Sequence, residues 1–90
     1  MEKIGLVTVT YNSGNVLQPF LDDLLAQSFR NFILYVIDNA SQDTTLNILD
    51  KLNDNRVNQT KNQSNLGVAA ANNIGISKAL ADECSHILII

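Results

Sequence analysis

Asp38 is the residue of this chain whose position most clearly suggests chemistry. It ends the apolar run at residues 32–37 and leads directly into the polar segment 39–43. A buried strand that stops on a carboxylate places that group at the carboxyl edge of a parallel sheet, where open α/β folds bind ligands. An ionised carboxylate only accepts hydrogen bonds, which suits the imino N–H of a pyrimidine or the hydroxyls of ribose. The alternative interpretation is a solvated loop acid.

A second polar group follows the first apolar run, at residues 4–10. Tyr11 comes directly after Thr10 and is followed by Asn12, Ser13 and Gly14. An exposed aromatic ring could stack on a base, which is worth about 1–3 kcal/mol. The competing interpretation is an ordinary strand-to-helix turn in which the ring packs on the rim of the sheet. These residues alone leave both interpretations open.

A third group combines Asn65 and Gly67 with the sequence Asn72-Asn73-Ile74-Gly75. Adjacent asparagines and a glycine inside a helix each oppose helix formation by several tenths to about 1 kcal/mol. Such local conflicts often occur at functional surfaces. The alternative is close helix–sheet packing at Gly75 with two solvated amides.

The other reactive side chains have simpler interpretations. Asp43 is expected in the first turn of a helix, where an acid is favourable. Cys84 is expected to be a small buried hydrophobic residue rather than a catalytic thiol. His86 is expected at the entry of a strand rather than as a general base. No spacing of histidines and cysteines typical of a metal site, and no Ser–His–acid set, is present.

The apolar pattern predicts the elements that must position these groups. We expect strands at residues 4–10, 32–38, 56–60 and 86–90, and helices at 16–27, 43–52 and 68–81. Ser13 or Asn15 is expected to cap the first helix. Strict alternation of strands and helices predicts a three-layer α/β/α fold with a mostly parallel sheet and right-handed crossovers.

Composition limits the class of protein. Ninety residues suffice for one domain, and a net charge of −3 with six scattered lysines and arginines argues against nucleic-acid binding. No apolar stretch approaches the roughly 20 residues of a transmembrane segment. The amino terminus lacks the pattern of a signal peptide, so we expect a cytoplasmic location. No Gly-x-Gly-x-x-Gly or phosphate-loop motif follows a strand.

Taken in order, residues 7–12, residues 36–43, Asn65-Leu66-Gly67 and Asn73-Ile74-Gly75 resemble the family 2 glycosyltransferases, enzymes of the GT-A fold that use nucleotide-activated sugars. The resemblance covers nearly the whole chain and implies the strand order 3-2-1-4. It also implies that Thr10 and Tyr11 line the base pocket, that Asp38 bonds the pyrimidine edge, and that the segment from Asn65 to Asn73 borders the ribose or phosphates. The nucleotide-binding residues that it implies are Thr10, Tyr11, Asn12, Asp38, Asn39, Asn65, Gly67 and Asn73.

The chain departs from the family in two ways. Many members have an arginine where this chain has Asn72, so a cationic phosphate contact is missing here, and the pair Asn72-Asn73 is more similar to the rhamnosyltransferase branch. The Asp-x-Asp motif that holds Mg²⁺ or Mn²⁺ in the family is expected beyond Ile90, together with the catalytic residues. We therefore expect residues 1–90 to be the incomplete amino-terminal, nucleotide-binding part of a GT-A domain, with no metal ligands of its own.

The resemblance implies a parent enzyme that transfers a sugar from a nucleotide-diphosphate sugar to an acceptor such as a cell-surface polysaccharide or lipid-linked glycan. The full-length parent could be membrane-associated. A flavodoxin-like FMN-binding module is the main alternative, because residues 13–15 superficially match a flavin-phosphate loop, and a domain without a ligand is the third. The apolar last strand, at residues 86–90, predicts self-association through an uncovered edge.

Overall fold

Strands and helices alternate along the whole described part of the chain. The computed structural model describes residues 2–90. Its elements are β1 (Ile4–Thr10), α1 (Gly14–Leu25), β2 (Phe32–Asp38), α2 (Thr45–Lys51), β3 (Val57–Lys61), α3 (Val68–Ala81) and β4 (His86–Ile89). The strands form one parallel sheet in the order β3-β2-β1-β4. The predicted α/β architecture and strand order are confirmed.

Alternate residues of β2 face opposite layers of helices. Leu34 is fully buried in a cluster that α1 and α2 supply through Leu17, Leu21 and Leu49. Its neighbour Tyr35 is also fully buried, but it packs in a second cluster with Val7 of β1 and Ala79 of α3. Because successive side chains of a strand point to opposite faces, the sheet is covered on both sides and forms the central layer of three.

Gly75 sets how closely α3 approaches the sheet. A Cβ atom at this position would lie 2.4 Å from Cγ1 of Val7, a distance that real Cβ atoms do not show. The buried residues of α3 are Ala71, Gly75 and Ala79, which lie four apart on one face. Close helix–sheet packing, one of the two interpretations of Gly75, is therefore what the structure shows.

The predicted boundaries of four elements needed correction. Helix α1 begins at Gly14 instead of residue 16 and ends at Leu25 instead of 27, and α2 covers 45–51 instead of 43–52. Strand β3 runs from 57 to 61 instead of 56–60, and β4 ends at 89 instead of 90. Helix α2 starts late because the Asp43 side chain accepts the N–H of Thr45, forming a local turn before the helix.

The strand β4 forms one edge of the sheet and is only partly covered. Leu88, Ile89 and Ile90 are each about half exposed. Ile87, by contrast, is half-buried and packs against the Tyr35 cluster. His86 is exposed at the start of the strand, as predicted.

Cys84 packs against the cluster around Tyr35, and its Sγ lies 3.7 Å from the phenolic oxygen of that residue. The thiol is therefore a half-buried packing group in this structure. The same phenol donates a 2.7 Å hydrogen bond to the Asp82 carboxylate, and burial together with this bond raises the pKa of Tyr35.

Candidate functional site

The carboxyl ends of β1, β2 and β3 lie side by side. Thr10, Asp38 and Lys61 are partners in the register of the parallel sheet. The loops that follow these strands therefore emerge at the same edge, which is where the sequence places its candidate residues. Ligands of open α/β sheets bind at this edge.

The β1–α1 and β2–α2 loops are joined by reciprocal hydrogen bonds. The N–H of Asn12 donates to Ser41 Oγ at 2.9 Å, and Asn12 Oδ1 accepts the N–H of Gln42 at 2.8 Å. The N–H of Ser13 donates to Thr45 Oγ1 at 2.7 Å. Asn12 therefore fastens one loop to the other, and it does not line the cavity described below.

Asp43 closes the amino terminus of α1 from the neighbouring loop. Its Oδ2 accepts the N–H of Gly14 at 3.0 Å, and its Oδ1 accepts the N–H of Thr45 at 2.9 Å. Hydrogen bonds from Thr45, and a further one from Gly14, hold the pKa of Asp43 below its ordinary value. Ser13 occupies the N-cap position without a side-chain cap bond, so the predicted capping by Ser13 or Asn15 is replaced by a carboxylate from another loop.

Asp38 is buried beneath these loops. Only 1% of it is exposed. Its Oδ1 accepts the hydroxyls of Thr10 and Ser41, both at 2.6 Å, and its Oδ2 accepts the N–H of Ser41 at 2.9 Å. The interpretation of Asp38 as a solvated loop acid is wrong, since the carboxylate is satisfied by three donors of the protein itself.

A cavity of about 470 Å³ opens beside these loops. This volume lies in the range of small-molecule sites. Its lining comes from β1, the β4 edge, the three strand-end loops and the start of α3: Val9, Tyr11, Ser13, Asn39, Asn65, Gly67, Val68, Asn72, Ile89 and Ile90. None of these described residues carries a charge.

The cavity contains four of the eight predicted site residues. Tyr11, Asn39, Asn65 and Gly67 line it, whereas Thr10, Asn12, Asp38 and Asn73 do not. Tyr11 is half exposed, so its ring is accessible instead of being packed into the rim of the sheet.

Asn72, and not the predicted Asn73, lies at the wall of the cavity. Asn73 is exposed, whereas Asn72 is half-buried and its Oδ1 lies buried without a hydrogen-bond partner among the described residues. Val68 and Asn72 are one helical turn apart, so both reach the same side of α3. The spacing of Ala71, Gly75 and Ala79, which fixes the buried face, was the sequence signal that could have identified Asn72.

The amino terminus of α3 lies at this cavity and has no side-chain cap within residues 2–90. Gly67 precedes it with a φ of 85°, a conformation that glycine adopts without steric cost. Residues 68–70, the first turn, are exposed. The first N–H groups of a helix lack intrahelical partners and carry partial positive charge, so this end favours an anion.

The described residues do not fit a divalent cation. No group of three His, Cys, Asp or Glu side chains able to hold a metal occurs within residues 2–90. Asp38, which directly precedes the cavity residue Asn39, is buried and already accepts three hydrogen bonds. Mg²⁺ requires octahedral oxygen coordination, which these residues do not offer. Within the same residues, no helix is both long and apolar enough to cross a membrane.

The chain matches a known protein family over most of its length. The family model described as "Glycosyl transferase family 2" matches residues 6–90. The chain belongs to glycosyl transferase family 2. This confirms the family that the strand-end motifs resemble.

One curated relative is the UDP-Glc:alpha-D-GlcNAc-diphosphoundecaprenol beta-1,3-glucosyltransferase WfaP of Escherichia coli. It is 28% identical over 79 residues, which cover 88% of this chain and 32% of WfaP. An uncharacterized glycosyltransferase of Haemophilus influenzae is 37% identical over 86 residues, covering 91% of this chain and 34% of that protein. The family 2 chain therefore spans about a third of the length of these relatives.

The fold is that of known GT-A enzymes. The crystal structure of S. aureus TarS residues 1–349 in complex with UDP superposes with a TM-score of 0.84 at 27% identity, covering 98% of this chain and 26% of that one. The likeness confirms the predicted fold class for this family 2 chain.

Proposed function

We propose that this chain is the nucleotide-binding part of a glycosyltransferase domain. The parent would transfer a sugar from a nucleotide-diphosphate sugar to an acceptor such as a cell-surface polysaccharide or lipid-linked glycan. The observation that carries the proposal is the cavity at the carboxyl edge of the sheet, which both an accessible Tyr11 ring and the uncapped amino terminus of α3 line. A nucleoside diphosphate has a flat base that can stack on Tyr11 and an anionic diphosphate that can bind at the amino terminus of α3.

The proposed contacts differ in part from those that the sequence implied. Tyr11 stacks on the base, while Asn65, Gly67 and the first amides of α3 face the ribose and phosphates. Asn72 supplies the polar contact proposed earlier for Asn73, because only Asn72 lines the cavity. Its buried, unpartnered Oδ1 supports this assignment.

Thr10 and Asp38 contribute from beneath the cavity. The carboxylate holds the Thr10 and Ser41 hydroxyls and so fixes the ends of two loops. A direct bond from Asp38 to a pyrimidine N–H stays a prediction, and it would require the carboxylate to exchange one of its present partners for the base.

A uridine nucleotide is the proposed donor class. WfaP is named as an enzyme of UDP-Glc, and TarS was solved with UDP; both are 27–28% identical to this chain. The chain represents only the portion that these relatives share with it.

The metal and the catalytic groups of the parent are proposed to lie outside residues 1–90. The described residues offer no cage for Mg²⁺ or Mn²⁺, and the cavity lining is uncharged. The isolated chain should therefore bind nucleotide weakly, respond little to Mn²⁺ or EDTA, and show only background hydrolysis of a nucleotide sugar.

The flavodoxin-like alternative is not favoured. A flavin-phosphate loop would need the backbone N–H groups at the start of α1 to face the phosphate. In this chain the N–H groups of Ser13 and Gly14 already donate to Thr45 and Asp43.

We also propose that the isolated chain self-associates through β4. The strand pairs with β1 only, and Leu88, Ile89 and Ile90 are half exposed. An apolar edge strand is a template for pairing with another copy. Light scattering should detect dimers or larger species that Leu88→Lys reduces, whereas a wild-type chain that stays monomeric at high concentration would contradict this.

The cytoplasmic location stays a prediction.

Calorimetry and thermal-shift measurements on the chain would test the proposed function. UDP should bind and raise the melting temperature, with dTDP similar, GDP weaker, and FMN without effect. The same titrations in Mn²⁺ and in EDTA should differ little. No binding of any nucleotide, or binding of FMN in preference to UDP, would contradict the proposal.

A further inference from the structure

A single buried amide fastens the loop that forms one wall of the cavity. This loop, residues 62–67, is called the Asn62 loop below. Asn39, at the end of β2, is only 1% exposed. Its Oδ1 accepts Asn62 Nδ2 at 2.9 Å and the N–H of Leu66 at 3.4 Å, and its Nδ2 donates to the carbonyl oxygen of Gly67 at 3.1 Å.

The Asn39 side chain thus contacts both ends of the Asn62 loop. Asn62 adds a second anchor, because its own N–H donates to the carbonyl oxygen of Asp38 at 2.8 Å. Both polar atoms of the Asn39 amide are used inside the protein. Although Asn39 lines the cavity, these bonds indicate that it acts on the loop.

Apolar packing contributes little to the position of this loop. Residues 63–67 are all exposed, and Leu66, the only apolar side chain among them, is 49% exposed. Asn65 makes a local bond, since its Oδ1 accepts the N–H of Gly67 at 2.9 Å. The loop therefore owes its position mainly to hydrogen bonds, of which those to Asn39 connect it to the sheet.

We infer that Asn62 and Asn39 form a positioning pair for nucleotide binding. The pair holds Asn65 and Gly67 at the cavity wall and fixes the carbonyl of Gly67, from which α3 begins. Neither side chain needs to touch the ligand, since each acts through the loop. The inference rests on the proposed function and adds Asn62 to its residues.

The test compares Asn62→Ala with Gln63→Ala in the ¹⁵N-labelled chain. Gln63 is the exposed neighbour in the same loop and provides the matched control. Loss of one net hydrogen bond corresponds to a roughly threefold to tenfold weaker affinity for UDP, which Asn62→Ala should show and Gln63→Ala should not. Hydrogen exchange at the Leu66 and Gly67 amides should become faster in Asn62→Ala only.

An isosteric variant separates positioning from general stability. Asn62→Asp keeps the shape of the side chain but places an acceptor against Asn39 Oδ1, so it should weaken UDP binding at least as much as Asn62→Ala. The shift that UDP causes at the Tyr11 amide should persist in both variants at saturation, whereas those at Asn65 and Gly67 should shrink.

Two results would overturn the inference. One is wild-type UDP affinity in Asn62→Ala and Asn62→Asp. The other is a loss of affinity that is fully explained by a larger unfolded fraction, with unchanged exchange at Leu66 and Gly67. Absence of UDP binding in the wild-type chain would instead contradict the proposed function, and faster exchange in Asn62→Ala would then still support the anchoring of the loop.

Discussion

The amino termini of α1 and α3 follow β1 and β3, the two strands that flank β2, and emerge at the same edge of the sheet, yet their environments differ. At α1, the N–H of Gly14 donates to Asp43 and that of Ser13 donates to Thr45. At α3, no described side chain caps the first turn, and Gly67 opens onto the cavity. Both ends carry the partial positive charge of a helix, but only one of them is still available to a ligand.

The neighbouring loops determine which of the two helix ends can bind an anion. The carboxylate of Asp43, in the β2–α2 loop, accepts the first N–H of α1. Buried Asp38 holds the same loop in place through its hydrogen bonds with Ser41. The β3–α3 loop has no such acid at the start of its helix, because Asn65 is neutral and residues 68–70 are apolar. A ligand phosphate is therefore expected at the start of α3 and not at α1, with the base at Tyr11 in the same cavity.

The largest effect is expected from displacing α3. Gly75→Ala would place a Cβ against Val7, a buried and stiff β-branched residue, at a distance of 2.4 Å before relaxation. Overpacking of this kind costs about 1–3 kcal/mol of unfolding free energy. Urea unfolding should show this loss, and UDP affinity should also fall because the start of α3 moves. Ser77→Ala, on the exposed side of the same helix, is the control; equal stability of the two variants would contradict the close approach.

The next effect concerns the carboxylate under both loops. Asp38→Asn keeps an oxygen for the hydroxyls of Thr10 and Ser41 but turns an N–H₂ group toward the N–H of Ser41. A buried donor left without a partner costs about 1–3 kcal/mol. Chemical denaturation should therefore show lower stability together with weaker UDP binding, and Asp23→Asn on the surface of α1 should change neither. Wild-type stability in Asp38→Asn would remove the structural role described for this carboxylate.

A smaller effect on stability is expected from removing the Asp43 carboxylate, which binds the start of α1. Asp43→Ala removes the acceptor of the Gly14 and Thr45 N–H groups, so the melting temperature should fall while UDP affinity stays unchanged. Because its folded-state pKa lies below the ordinary 3.8, the stabilisation by Asp43 is complete above that pH and is lost as the pH falls further. The wild-type and Asp43→Ala melting temperatures should thus converge in acid. Weaker UDP binding by Asp43→Ala at pH 7 would place the ligand at α1 and reverse the comparison.

The opposite end of the sheet should have no effect on nucleotide binding. There, hydrogen bonds from Arg56 lower the pKa of Asp54 from 3.8 to about 2. This depressed pKa means that Asp54 stabilises the fold above pH 3.8, and that this contribution is lost between pH 3.8 and about 2. Asp54→Asn should flatten that part of the acid unfolding curve and leave UDP affinity intact. A change in affinity would show that the two ends of the sheet are coupled.

The sequence predicted the elements best where apolar residues dominate. β1, β2 and α3 begin and end where expected. β1 and β2 are buried or half-buried throughout, and α3 buries Ala71, Gly75 and Ala79 at regular helical spacing. The start of α2 differs because of the local turn at Asp43, whereas the start of α1 differs because the group that binds it is not local. Asp43 is 29 residues from Gly14, whose N–H it accepts, and no pattern within either loop contains that bond.

The site was predicted in location and only partly in detail. Asp38 lies at the edge of the sheet as expected, but its orientation depends on hydroxyls from two separate segments, Thr10 and Ser41. The choice between Asn72 and Asn73 depends on the rotation of α3, which Gly75 and its small neighbours fix against β1. The role of Asn62 arises from a contact across 23 residues, so its neighbours in sequence do not reveal it.

The most direct test of whether UDP binds at the start of α3 and not at α1 is a titration of the ¹⁵N-labelled chain with UDP, followed through its backbone amide signals. The comparison of the two helix ends predicts that the largest shifts occur at Tyr11, Gly67, residues 68–70 and Asn72, while the amides of Gly14 and Asn15 stay in place. Shifts centred on Gly14 and Asn15, or no shift at the start of α3 when UDP is in large excess, would contradict it.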